Sequence, residues 1–335
     1  MKITFTGATG FLGRHAVPLL VQEGHEVVAL SRSGAAPDGA TGHKADVQKP
    51  RTLGRAMKGA EVVIHAAGVV SHELAEAQRV FQVHVEGTRN VIAAAKKAKV
   101  RRLVLISTSG TIAVSDASDF LGTEDGPDPE RFIQGWPYYR AKRYAEQEAM
   151  AAADETLEVV CLNPSLLLGP GDDPQGASTH AVRVFLDEGV PLAPGGGISY
   201  VDVRDVAVAI GLALHSGTSG ERYLLAGGNM RFKDFYERLA RITGQSPPVA
   251  AMPDLARKAL GWMPRWGRDK GIGVGIGPTI SREDMELASH FWYADSAKAS
   301  SELGWHPRCP NATLDDTIAD IQDARRRAFQ AYKTR

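Results

Sequence analysis

The sequence predicts an α/β protein: a doubly wound parallel sheet with a smaller, partly interleaved C-terminal domain. Three observations carry that reading. The chain opens with a short apolar run that ends in a glycine-rich turn and continues as an amphipathic stretch. Strand-like and helix-like patterns then alternate through the first half. After Pro164 the pattern breaks, and glycine and proline become dense through Gly169-Pro170-Gly171 and from Pro191 to Gly197.

Lys2 to Thr6 reads as a buried parallel strand, because it is an apolar run of strand length ending at a glycine. Gly7-Ala8-Thr9-Gly10-Phe11-Leu12-Gly13 follows. Phe11 to Gln22 has helical spacing, with Leu12, Ala16, Leu19 and Leu20 apolar. Gly7 permits a sharp turn, Gly10 a close approach of the backbone to a ligand, and Gly13 a helix crossing without a Cβ. The helix start then offers free N–H groups and a favourable dipole to a pyrophosphate. Strand, turn and helix together predict a dinucleotide site.

The second strand, Glu26 to Leu30, ends in Ser31-Arg32-Ser33. A carboxylate there would bind the ribose 2′-OH and select NAD. This chain instead sets Arg32 between two hydroxyls, and an always-charged fork of donors suits a 2′-phosphate. NADP(H) is preferred on this ground. A solvated Arg32, with NAD(H) also used, is the other reading. Glu61 to His65 is a further strand, and the small residues Ala66-Ala67-Gly68 after it would let a cofactor lie against the backbone. Phe81 to Ala98 and Tyr138 to Ala153 read as helices, Arg102 to Ser107 and Leu157 to Leu162 as strands. Ser199 to Val203 and Glu221 to Ala226 look like late strands, and Val206 to Leu214 like a helix. Residues 1–163 with 199–226 are assigned to the nucleotide domain, and 164–198 with 227–335 to a substrate domain.

With 335 residues, 43% of them hydrophobic, the chain can fill one large core or two small ones. Its 39 Lys and Arg balance 39 Asp and Glu, so no nucleic-acid partner is expected. Cys161 and Cys309 lie far apart with no zinc spacing, and Cys161 reads as a core thiol. No stretch approaches the roughly 18 apolar residues of a membrane span. The opening apolar run is only a strand long, which predicts a reducing, cytoplasmic location.

Tyr138 and Lys142 are four apart and share a helix face. A phenol with a pKa of about 10 is reluctant to exchange a proton near neutrality, and a nearby ammonium lowers that pKa. Tyr and Lys at this spacing are common by chance, but after the glycine turn the pair implies proton transfer beside a hydride, on a ketone, aldehyde or alcohol. Tyr139 next door has Arg143, not lysine, at the matching position.

These residues resemble the extended short-chain dehydrogenase/reductase family, within the NAD-dependent epimerase/dehydratase superfamily. The resemblance runs from Lys2 to Pro307. It includes the glycine turn, Asp46-Val47, His65-Ala66-Ala67, Val85-Glu86-Gly87-Thr88 and Ser107-Thr108-Ser109. Tyr138 with Lys142, Asn163-Pro164-Ser165, Gly169-Pro170-Gly171-Asp172, Tyr200 to Ala207 and Glu302-Leu303-Gly304-Trp305 continue it. Within the family, the chain is similar to dihydroflavonol-4-reductase-like, 3β-hydroxysteroid-dehydrogenase-like and hopanoid-associated members. The resemblance implies a catalytic set of Thr108, Tyr138 and Lys142, with Ser107 and Ser109 one register step away. Lys142 would also hold the nicotinamide ribose. The implied cofactor contacts begin with Gly7, Thr9, Gly10, Phe11, Leu12 and Gly13, then Ser31, Arg32, Asp46 and Val47. They continue with Ala66, Ala67, Gly68, Tyr138, Lys142, Asn163, Pro164 and Ser165. A homodimer through the helices Phe81–Ala98 and Tyr138–Ala153 is implied as well. One departure stands out: where the family usually has Asn, this chain has His84, which is expected to hydrogen-bond in its place.

The favoured function is an NADP(H)-dependent reductase or dehydrogenase for a small carbonyl or alcohol substrate. A nucleotide-sugar epimerase or dehydratase with tightly held NAD is the alternative, and Ser31-Arg32 argues against it. A non-catalytic NADP-binding regulator is disfavoured by the intact Thr108, Tyr138 and Lys142. Two segments keep two readings each. The acidic stretch Asp116 to Glu130 should cross the active-site mouth, as a solvated loop or as a filter against anionic substrates. Leu255 to Trp266, basic and aromatic, packs onto the substrate domain or else rests on a membrane or caps an apolar substrate.

Overall fold

The computed structural model describes residues 1–174, 176–252 and 282–333. In chain order its strands are β1 (Lys2–Thr6), β2 (Glu26–Ser31), β3 (Thr41–Lys44), β4 (Val62–His65), β5 (Arg102–Ile106) and β6 (Glu158–Pro164). Then come β7 (Leu166–Leu168), β8 (Leu192–Ala193), β9 (Gly197–Asp202), β10 (Glu221–Leu225), β11 (Gly228–Arg231) and β12 (Ala250–Ala251). The helices are α1 (Phe11–Gln22), α2 (Leu53–Ala56), α3 (Ala77–Phe81), α4 (Gly87–Ala98), α5 (Glu130–Ile133), α6 (Pro137–Ala151), α7 (His180–Glu188), α8 (Val203–Leu212) and α9 (Phe232–Thr243). Further helices span Arg282–Leu287, Ala297–Leu303 and Pro310–Lys333.

Seven strands form one parallel sheet in the order β10-β6-β5-β4-β1-β2-β3. The chain winds outward from β1 in both directions, so a crevice opens between β1 and β4 at their carboxyl ends. The register places Thr6 beside both Leu30 and His65, which brings Gly7 and Ala66 to the same edge. The sheet is buried on both faces, as near-continuous apolar strands require. Ile3, Phe5, Val27 and Val62 pack under α1 and α8. Val63, Leu103, Leu105 and Val159 pack on the opposite face with Leu53, Val91 and Ala149 from α2, α4 and α6.

The segment 199–226 divides between layers. Glu221–Leu225 joins the large sheet, whereas Gly197–Asp202 pairs with β7 and β11 in a separate three-stranded sheet. That sheet packs with α7, α9 and the helix Pro310–Lys333 around Phe185, Tyr200, Phe235 and Leu314. The Tyr200-to-Ala207 motif has a structural task here. Asp202 caps α8 by accepting from the Arg204 N–H at 2.9 Å, and Arg204 also reaches Asp316 at 2.6 Å. Asp205 accepts from the backbone and guanidinium of Arg308, and its carbonyl accepts from the Trp305 indole. These bonds tie the C-terminal segment to the nucleotide-side layer.

The helix expected over Phe81–Ala98 is interrupted. A π-turn at Gln82–Glu86 separates α3 from α4, and it carries His84. No helix among the described residues is long and apolar enough to cross a membrane. Leu255 to Trp266 lies outside the described residues.

Candidate active site

At the crevice, α1 starts at Gly10 without a side-chain cap, so its first N–H groups face outward. The glycines have specific reasons to be glycine. Gly7 sits at φ +77°, and a Cβ there would lie 2.7 Å from the Ala66 carbonyl carbon. A Cβ on Gly13 would lie 2.4 Å from the Ala8 carbonyl oxygen. Gly10 would meet only the Gly7 carbonyl, at 3.2 Å. A bare backbone concavity at a helix start fits a dinucleotide pyrophosphate.

This concavity continues into a cavity of about 500 Å³. Gly7, Gly10, Phe11, Leu12, Gly13, Ala66 and Gly68 line one end, with Tyr138, Lys142, Pro164 and Ser165 further in. Ser107, Thr108 and Ser109 all reach it, and Thr108 is the member of that trio that is not fully buried. The structure therefore brings Thr108, Tyr138 and Lys142 to one wall.

The other expected cofactor residues are distributed differently. Thr9, Ser31, Arg32, Asp46, Val47 and Ala67 lie outside this cavity. Ser31 ends β2 and Arg32 follows it, and Asp46 follows β3, on the same edge of the sheet. Ser31 donates to the Ala35 carbonyl at 2.7 Å, while Arg32 is exposed and unpaired among the described residues. Asp46 accepts from the Gln48 N–H at 3.0 Å, and the Val47 carbonyl accepts from Asn90 at 2.8 Å. Asn163 turns its amide away from the cavity, to the Thr108 carbonyl at 3.1 Å and to Glu146 at 2.6 Å.

α6 carries both Tyr138 and Lys142. Its apolar Ala141, Ala145 and Ala149 face the protein, and the same side carries Lys142. The Lys142 ammonium donates to the Ile106 carbonyl at 2.8 Å, and burial lowers its pKa to about 8, with the Glu146 carboxylate opposing that shift. Burial pushes the Tyr138 phenol upward. The downward shift expected from the Tyr–Lys pair is thus absent, because the ammonium is given to a backbone carbonyl and burial dominates the phenol. His65 spans Thr6 and Thr88 at 2.7 and 3.0 Å, and His84 reaches the Val69 carbonyl at 2.8 Å. The latter is the backbone bond expected of the residue replacing Asn. Burial lowers both imidazoles to about 3, so both are neutral.

The far end of the cavity is apolar. Leu166, Leu167, Val184, Ile198, Phe232, Leu287 and Trp292 line it, and Tyr139 stacks on Trp292 with ring centroids 4.9 Å apart. Among the described residues no arginine, aspartate or glutamate lines the cavity, and Lys142 is the one lysine. The acidic stretch Asp116 to Glu130 contributes nothing to the lining. Asp116 pairs with His290, Asp128 with Arg143, and Glu124 is buried against the Leu224 N–H. Arg143 is spent on Asp128 and the Thr111 carbonyl, and so offers Tyr139 no cation.

Sequence reasoning passed over Glu146, Thr111, Trp292 and Ser199. Glu146 repeats the spacing from Tyr138 to Lys142, so its place on that face was readable. Trp292 and Ser199 come from distant segments with no motif to mark them. Ser199 lines the cavity with its hydroxyl buried and unpartnered.

Residues 3–226 match the NAD dependent epimerase/dehydratase family. The chain belongs to that family. A Synechocystis protein with the provisional name dihydroflavonol 4-reductase is 29% identical over 327 residues, covering 94% of this chain and 92% of its own. Cinnamoyl-CoA reductase 1 of Arabidopsis thaliana is 30% identical, over 73% of this chain and 76% of its own. The crystal structure of gox2253 superposes with a TM-score of 0.81 at 28% identity, covering 96% of this chain and 98% of that one. This family member is therefore an oxidoreductase on a nicotinamide-binding α/β fold.

Proposed function

We propose that the protein is an NADP(H)-dependent reductase or dehydrogenase that interconverts an apolar ketone or aldehyde and its alcohol. The observation that supports this is the union of Thr108, Tyr138 and Lys142 on one wall of a cavity whose far wall is apolar. A nicotinamide dinucleotide bound along the glycine turn would supply or accept the hydride. On that reading Thr108 donates a hydrogen bond to the substrate oxygen, and Tyr138 delivers the proton as an alkoxide develops. A phenol kept protonated by burial is suited to donation. Lys142 holds positive charge beneath the reacting oxygen. Arg32 supports the preference for NADP(H), since it is a free guanidinium at the expected ribose end.

The epimerase alternative requires a bound nucleotide diphosphate. Two phosphate charges beyond those of the cofactor favour several cations, and among the described lining residues Lys142 is the one lysine or arginine. Exposed Phe81 and Tyr144 support the homodimer through the segments Phe81–Ala98 and Tyr138–Ala153. A cytoplasmic location accords with the reading.

The test is oxidation of NADPH and NADH with aryl aldehydes, polycyclic ketones and nucleotide sugars, together with the absorbance of the purified protein. Turnover of apolar carbonyls by a cofactor-free preparation is the expected result. Retained NAD with conversion of a nucleotide sugar would overturn it.

A further inference from the structure

We propose that Glu146 is a positioning residue that fixes the Thr108 hydroxyl over the cavity. The inference rests on the reductase reading for its consequence in turnover, but its geometry stands apart from that reading.

Glu146 is 3% exposed, beneath the active-site wall, with no cavity contact of its own. Its Oε1 accepts from the Thr111 hydroxyl at 2.7 Å and from the Asn163 amide at 2.6 Å. Its Oε2 lies 3.9 Å from the Arg222 guanidinium. An amide nitrogen has two hydrogens. One of those on Asn163 serves Glu146, and the other is available to the Thr108 carbonyl at 3.1 Å. The carboxylate therefore orients Asn163, and Asn163 holds the Thr108 peptide. The Thr111 hydroxyl lies within reach of both Glu146 and the Thr108 carbonyl, at 2.7 and 2.8 Å, and the Thr108 hydroxyl accepts from the Gly110 N–H at 3.3 Å.

α6 holds the two ends of this segment from consecutive turns. Lys142 bonds the Ile106 carbonyl where β5 ends, at 2.8 Å. One turn later Glu146 secures Thr111 and, through Asn163, Thr108. Tyr138, Lys142 and Glu146 share the face by their i, i+4 spacing. The helix that carries the proton donor thus also sets the position of the hydroxyl that meets the same substrate oxygen. Burying a carboxylate is costly unless it is paired and hydrogen-bonded. Burial pushes this carboxyl upward, and the hydroxyl and amide donors around it oppose that shift.

The experiment compares Glu146→Ala, Glu146→Gln, Thr108→Ala and the double variant Thr108→Ala/Glu146→Ala in the full chain. Hydrogen–deuterium exchange over residues 106–112 is measured along with steady-state rates on a reduced carbonyl. Glu146→Ala should lower kcat by about 10- to 100-fold, the scale of a misplaced catalytic group, and leave NADPH affinity unchanged. Glu146→Gln keeps an acceptor oxygen for Thr111 and Asn163 and should recover most of the rate. In the Thr108→Ala background, loss of Glu146 should cost little more, because the two act as one unit. Exchange over 106–112 should accelerate in Glu146→Ala while that of β1 and α1 stays put. Unchanged exchange in both Glu146 variants would overturn the proposal, as would fully additive rate losses. Should the parent protein reduce no carbonyl, the reductase reading fails on its own, and the exchange measurement still decides whether Glu146 holds the segment.

Discussion

His84 meets the ring of Tyr138 edge-on, with centroids 5.6 Å apart. The imidazole is wedged between Tyr138 and the loop after β4. Its Nε2 bonds the Val69 carbonyl, and a Cβ on Gly68 would come within 2.6 Å of its Cε1. A neutral ring is required in so dry a place. Burial holds His84 and His65 at about 3 in the folded state, far below the 6.5 of a free imidazole. Between pH 6.5 and 3 the unfolded chain therefore binds two protons that the folded one refuses, and stability falls as pH drops through that window. Each contributes a slope of about 1.4 kcal/mol per pH unit at most. Urea denaturation of the parent and of His84→Asn from pH 4 to pH 7 should show a shallower slope in the variant. Parallel slopes would mean that His84 is not held neutral.

Tyr138→Phe removes the hydroxyl and keeps the ring that packs on His72, His84 and Tyr139. Turnover should fall by about 10²- to 10⁴-fold, the usual worth of a positioned general acid. NADPH titration by protein fluorescence should give an unchanged Kd. Substantial residual turnover would assign the proton to another group.

The nucleotide half of this molecule was legible because its signals are local. Gly7, Gly10 and Gly13 are read from a single turn, and each is explained by a contact within a few residues or on the adjoining strand. Tyr138 and Lys142 were legible as a helix face. The far end of the cavity was not. Ser199 reaches the cavity from β9 and Trp292 from beyond Leu287, and no periodicity links such segments to residues 138–142. The π-turn at Gln82–Glu86 escaped because its sequence is compatible with a continuous helix, and the bond from His84 to Val69 is a tertiary contact. The ion pairs of the acidic run 116–130 were not legible because composition reports charge, whereas the partners Arg143, His290 and the Leu224 N–H lie elsewhere in the chain.

Arg32→Ala tests the cofactor preference. A charge-assisted fork on a phosphate is worth roughly 1.5–3 kcal/mol. Its loss should raise the KM for NADPH by about 10-fold or more. The KM for NADH should hardly move, since NADH has no 2′-phosphate for the guanidinium to meet. Steady-state assays with both cofactors check this, and equal effects would return Arg32 to an ordinary exposed residue.

Lys142 links stability and turnover through one ionisation. Burial lowers its folded pKa to about 8, while an unfolded lysine titrates near 10.5. Below pH 8 both states hold the proton, and the folded state carries the whole cost of burying it. Between pH 8 and 10.5 the folded state has released the proton and the unfolded state has not, so this residue's contribution to stability rises with pH. Lys142→Met should lack that rise, and urea melts of the two proteins at pH 7.5, 8.5 and 9.5 give the difference directly. Carbonyl reduction should run the other way across the same window, because the neutral amine no longer places positive charge beneath the reacting oxygen. A stability difference that stays flat from pH 7.5 to 9.5 would mean that the ammonium is better solvated than its bond to Ile106 implies.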